Sequence, residues 1–117
     1  MNTIVSREAP KSHYRWGKDC EGWNLFDDAS LAVKQERMPP QASEKRHLHH
    51  HSQQFFFILQ GRATFEIEGE RIEAGPYQGI HIPAGKRHRI LNEGDKDLEF
   101  ILASQPSTAN DRVNVDP

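Results

Sequence analysis

The sequence predicts an all-β domain built as a barrel or sandwich. Three observations carry that expectation. Short apolar or alternating segments recur between Trp23 and Leu102, each of strand length. Turn-forming residues punctuate them at Pro39-Pro40, Gly61, Glu68-Gly69, Gly75-Pro76, Pro83-Ala84-Gly85 and Glu93-Gly94. No helical pattern of roughly 10–15 residues separates them, as a βαβ arrangement would require. The chain has 117 residues, enough for one domain with a modest core.

The expected organisation is an N-terminal arm over 1–22, a barrel domain over 23–104 and a polar C-terminal tail over 105–117. Residues 1–15 are polar without a sustained period and read as a loose arm or an added edge strand. If Trp23–Phe26 is extended, Trp23 and Leu25 share one face. Leu31–Met38 reads as a half-buried strand with Leu31 and Val33 on one face. Helix propensity competes there, but Pro39-Pro40 stops the segment because proline fixes φ and restricts the residue before it. Gln41–Glu44 is a turn into a histidine-rich strand. The run Phe55-Phe56-Phe57-Ile58-Leu59 is apolar on both faces, as a strand covered on both sides would be. Phe56 and Ile58 line the interior; Phe55, Phe57 and Leu59 face the other way. After Gly61, the alternation of Ala63, Phe65 and Ile67 with polar residues marks a strand buried on one face. Glu68-Gly69 turns it into a hairpin partner at 70–73. Short strands follow around Ile80 and Ile82, over 88–92 and over 98–103. Gly61, Gly79 and Gly85 are assigned to turns, and Asn92 to a turn-side hydrogen bond.

Composition excludes several classes. The net charge is −2 with acids and bases interspersed, so no basic stripe offers a nucleic-acid footprint. Cys20 is the single cysteine, which rules out an intrachain disulfide and any zinc site built from cysteines. The N-terminus lacks an apolar signal core and no segment has the length of a membrane span, so the expected location is cytoplasmic. There is no nucleophile-elbow serine, phosphate-cradling glycine loop or acid/base carboxylate pair in the sequence pattern.

The chemistry concentrates in Glu44–Gly61, EKRHLHHHSQQFFFILQG. In a strand, His47 and His49 point to the same face with α-carbons about 6.6–6.8 Å apart. Two imidazoles so placed can converge on one ion at roughly 2.0–2.1 Å. If the apolar run pairs antiparallel with the His strand, Gln54 points at the same spot. His88 is the candidate for a more distant ligand. His51 shares parity with His47 and His49 and is a rival, although Ser52-Gln53 turns the chain there. His50 points to solvent, and His13 carries no signal. His81, between Ile80 and Ile82, reads as a strand histidine with a pocket role left open. One of Glu36, Arg37 and Arg89, if turned inward, would bind an anionic substrate.

Two segments resemble a known pair of motifs. His47-Leu48-His49, four residues, Gln54, six residues, Gly61 is similar to the first cupin motif, H-x-H, three or four residues, E, six residues, G. Pro83-Ala84-Gly85, two residues, His88, three residues, Asn92, with Gly79 ahead of it, is similar to the second. The likeness covers roughly Trp23 to Ser104 and is closest in style to the small single-domain cupins, where a tail bearing Asp111-Arg112 is also familiar. It implies a jelly-roll barrel holding one divalent transition metal (Zn, Fe, Ni, Mn or Cu). It implies His47, His49 and His88 as ligands, with Gln54 at the position of the family's carboxylate. That glutamine is a departure. Three imidazoles and a neutral amide leave the ion's charge uncompensated, so such a site favours an anionic ligand. The expected function is a metal-dependent enzyme, dioxygenase or isomerase-like, acting on a small organic acid, enol or aromatic. The alternatives are a non-catalytic module for a sugar-like ligand and a structural cupin. Small cupins also imply a homodimer, the second subunit covering the outward face of Phe55, Phe57 and Leu59.

Overall fold

The structure is a computed structural model that describes residues 4–115; residues 1–3 of the expected arm and 116–117 of the expected tail lie outside it. Among the described residues there are eleven strands and no helix, hence none long and apolar enough to cross a membrane. In chain order they are β1 (Ser12–Trp16), β2 (Cys20–Asp27), β3 (Ala32–Met38), β4 (His47–His49), β5 (Gln53–Gln60) and β6 (Ala63–Ile67). There follow β7 (Glu70–Ala74), β8 (Gly79–Ile82), β9 (His88–Leu91), β10 (Leu98–Gln105) and β11 (Arg112–Asn114). All pairings are antiparallel. They form a six-stranded sheet, β1-β2-β3-β10-β5-β8, and a five-stranded sheet, β11-β4-β9-β6-β7. The two sheets make a jelly-roll barrel whose core lies between them.

Alternation sets what each strand buries. On β5 the inward residues are Gln54, Phe56 and Ile58; on the paired β10 they are Ser104, Leu102 and Phe100, with Leu98 beyond. The interior therefore grades along the barrel from polar to apolar. Phe56 packs its ring against Phe65 and Phe100, with centroids 5.1 and 5.4 Å apart. Phe65, Phe100, Met38, Ile58 and Leu98 have no exposure at all. Asn92, also buried, donates to Met38 O (2.9 Å) and Lys96 O (2.8 Å) and accepts from Gly94 N (3.0 Å), tying the end of β3 to the β9–β10 turn.

Three local expectations need correction. β4 and β5 do not pair; they lie in opposite sheets, so Gln54 reaches the histidines across the barrel. On β3 the inward residues are Ala32, Lys34, Glu36 and Met38, because Ala32 and Met38 are the buried ends and share parity with the charged pair between them. Leu31 and Val33 face outward. Gly79 opens β8 rather than serving a turn, and a Cβ there would sit 2.4 Å from the Phe55 ring.

The extensions are part of the sheets. β1 is the edge strand beside β2, registered from Ser12↔Asn24 to Trp16↔Cys20. β11 is added to β4, with Arg112↔His49 and Asn114↔His47.

Candidate metal centre

β4 presents His47 and His49 to the interior, and β9, its neighbour, presents His88 at the position registered with His47. All three are buried, at 2%, 4% and 2% exposure. One ring nitrogen from each lies within 4.8 Å of the others, and the rings are 4.3–5.7 Å apart.

Their tautomers follow from what their other nitrogens touch. Nδ1 of His47 is 2.8 Å from Lys45 O, Nδ1 of His88 is 2.8 Å from Lys86 O, and Nδ1 of His49 is 3.3 Å from Asp111 O. A carbonyl can only accept, so each Nδ1 carries the proton and donates it. That leaves a lone pair on each Nε2, the form in which an imidazole binds a metal, oriented by a backbone carbonyl. The rings are also kept neutral. Burial, with His88 alongside, pulls His47 down to about 3. Burial takes His88 to about 4 and holds His49 below its ordinary range.

Gln54, 5% exposed, completes the cluster from the opposite sheet. Its Oε1 is 3.2 Å from His88 Nε2, and its Nε2 donates to Ser104 Oγ at 3.1 Å. With the proton of His88 on Nδ1, two lone pairs face each other there, an opposition that a bound cation would relieve. The opposite carboxamide rotamer would donate to His88 Nε2 and accept from the Ser104 hydroxyl. The side chain thus has one satisfied arrangement toward a cation and one without it. The donor set, three oriented neutral imidazoles and an amide oxygen, fits a divalent transition metal.

The other histidines are elsewhere. His50 and His51 are exposed, as is His81, which bonds Gln53 Oε1 at 2.9 Å. His13 stacks on Trp23 outside the barrel. Arg37 points outward to Glu21 (2.8 Å) and Asp97 (3.4 Å), and Arg89 to Glu66 (2.7 Å); of the three charged candidates only Glu36 turns inward.

The C-terminal segment holds the histidine loop. Asp111 Oδ1 accepts from His50 N (3.0 Å) and His51 N (3.2 Å), and its Oδ2 from Ser52 N (2.8 Å). Burial works against its charge, but these N–H groups prevail and hold the carboxyl below its usual range. The same residue's carbonyl orients His49. The likeness of the Asp111-Arg112 tail to those of small cupins singled out the segment, but its role follows from the pairing of β11 with β4.

Beside the histidines lies a cavity of about 270 Å³ that opens at the barrel mouth. Phe56, Ile90 and Leu102 form its apolar side; Tyr14, Lys34, Glu36, Glu44 and Arg112 form its polar side. Burial pushes the Glu44 carboxyl up to about 8, with Arg112 opposing the rise. Its Oε1 accepts from Ile90 N at 3.2 Å, and Arg112 stands 3.8 Å from its Oε2.

Residues 34–104 match the family model described as "Cupin domain", more than half of the chain, and the chain belongs to that family. A curated relative, a polyketide synthase CurC of Streptomyces cyaneus, is 30% identical over 69 residues, covering 59% of this chain and 45% of its own length. The chain thus spans less than half of that relative. The polyketide cyclase RemF of Streptomyces resistomycificus superposes with a TM-score of 0.79 at 20% identity, covering 100% of this chain and 87% of the other. A predicted oxalate decarboxylase of Thermotoga maritima superposes with a TM-score of 0.81 at 20% identity, covering 89% and 99%. At that identity the two superpositions speak for the fold.

Proposed function

We propose that this chain is a metal-dependent enzyme acting on a small organic acid or enol. His47, His49 and His88 would hold a divalent transition metal, with Gln54 Oε1 as a weaker fourth donor. The observation that carries this is the joint placement of three Nε2 lone pairs and a cavity open to solvent. A purely structural ion would need no such cavity. When bound, the metal supplies Lewis acidity toward a substrate oxygen. The chain's own residues do the rest. Four neutral donors leave the centre cationic, and Lys34 and Arg112 add positive charge at the mouth, so an oxyanion is drawn in. Phe56, Ile90 and Leu102 exclude water from its carbon skeleton. Two structural neighbours, a polyketide cyclase and a predicted oxalate decarboxylase, are compatible with an oxygen-rich organic substrate.

Two copies pair, in the same proposal, through the outer face of the six-stranded sheet. Phe55 is 47% exposed there, beside Phe57, Leu59 and Ile101.

Calorimetry with oxalate as the probe tests the enzyme reading. Zinc-loaded protein is expected to bind oxalate and metal-free protein to bind it at least about tenfold more weakly, roughly 1.4 kcal/mol. Equal binding to both forms, or none to either, contradicts it.

A further inference from the structure

We propose that Glu36, held by the Tyr14 hydroxyl, is the proton-transfer residue of the cavity, acting on small 2-oxo acids with an acidic C–H beside the carbonyl. This inference rests on the enzyme reading above and deepens it.

Three neighbouring strands build the pair. Tyr14 on β1 is registered with Gly22 on β2, and Gly22 with Glu36 on β3. A Cβ at Gly22 would lie 2.1 Å from Tyr14 Cζ. Glycine therefore lets the phenol ring lie across β2 and deliver its O–H to Glu36 Oε2. The other carboxylate oxygen, Oε1, has no protein hydrogen bond among the described residues, and Glu36 lines the same cavity as His47 and His49.

Oε1 is not among the buried unpaired polar atoms, so it is open to whatever fills the cavity. Lys34 is not its ion-pair partner; it stands over the Tyr14 ring, 5.5 Å from the centroid. The charged and titratable groups sharing this space are Tyr14 from β1, Lys34 from β3 itself, Arg112 from β11, Glu44 from the loop before β4, and His47 and His49 from β4. Burial raises the Glu36 carboxyl and the Tyr14 hydrogen bond opposes that rise. Such a balance suits a group that both takes and returns a proton.

The substrate class follows from the charges. An oxo acid would offer two oxygens to a metal held by His47, His49 and His88, or a carboxylate to Lys34 and Arg112. In the step, Glu36 Oε1 takes a proton from the carbon beside the carbonyl. The C–H pair enters the carbon–carbon bond, and the carbonyl π pair moves onto its oxygen. Return of the proton, or of a deuteron exchanged from solvent, restores the acid, so no other reactant is consumed.

The test uses zinc-loaded full-length protein in D2O with pyruvate, 2-oxobutanoate and 2-oxoglutarate, following loss of the C3 proton signals by NMR. Wild type is expected to exchange at least one acid well above a zinc-only control. Glu36→Gln, close in shape and still able to accept from Tyr14, should exchange it at least about 100-fold more slowly. Its zinc content should match wild type, and its circular dichroism should show the same fold. Tyr14→Phe removes a donor that favours the charged carboxylate, so the acid limb of the pH–rate profile should move to higher pH; Gly22→Ala should do the same by displacing the ring. Wild-type exchange rates in Glu36→Gln overturn the proposal. So does a wild type that binds oxalate in a zinc-dependent way yet exchanges none of the three acids. A wild type that binds neither zinc nor oxalate sinks the enzyme reading itself, a separate and recognisable failure.

Discussion

The two ends of the barrel interior are built from the same strands and differ in almost every physical respect. At one end Phe65, Phe100, Ile58, Met38 and Leu98 are fully enclosed, both rings packing on Phe56, and the one buried amide beside them, Asn92, is bonded to backbone groups. At the other, reached by moving two or four residues along those strands, the inward positions are Gln54, Ser104, His88 and Glu36. The closed end supplies the area removed from water that holds the two sheets together. The open end spends part of that stability by burying polar groups, each of which needs a partner. It finds them in backbone carbonyls, in the Asp111 carboxylate and in neighbouring side chains. The barrel tolerates a chemically active end because its other end is solid.

The contrast can be broken from either side. The largest effect on stability belongs to the closed end: Phe65→Ala should lower unfolding stability by about 3–5 kcal/mol, read by denaturant titration, because the ring leaves a cavity that the two sheets cannot close. His88→Ala should cost much less stability in the metal-free protein but abolish stoichiometric metal uptake, read by elemental analysis. Asp111→Ala strips the carboxylate from three N–H groups of the His50–Ser52 loop. It should weaken zinc about 10–100-fold in a competition titration with a chelator while leaving some binding. Ser104→Ala frees the Gln54 carboxamide and should weaken zinc by a smaller factor. The smallest change lies on the outside of the barrel. Glu66 is held down to about 2, chiefly by its hydrogen bond with Arg89. Its contribution is present above the ordinary glutamate range, near 4.5, and is lost as pH falls toward 2. Glu66→Gln should therefore flatten the acid side of the melting temperature against pH in that window, with little change at pH 7.

Much of this arrangement was legible in the sequence where one strand carries the information. The shared face of His47 and His49, the inward parity of Phe56 and Ile58, and the hairpin at Glu68-Gly69 all follow from the two-residue period. What was not legible depends on which strands become neighbours. The motif spacing put Gln54 at the site, but its approach from the opposite sheet, rather than from a strand paired with β4, was not encoded locally. Leu31 and Val33 share a face, as alternation says, but it is the outward one, because the mouth end of β3 carries polar groups inward. The matching parity of Ala32, Lys34, Glu36 and Met38 was the available signal. Tyr14 and Asp111 sit in polar segments outside the motifs, and only strand addition at each sheet edge brings them to the cavity.

The central claim is that the open end is a metal centre. The most direct measurement is elemental analysis of untagged protein purified without nickel resin, beside a His47→Ala/His49→Ala variant whose fold is checked by circular dichroism. The account predicts near-stoichiometric zinc, iron, manganese, copper or nickel in the wild type, and its loss in a folded variant. A wild type that carries none of these ions, and takes up none when each is offered, would contradict it.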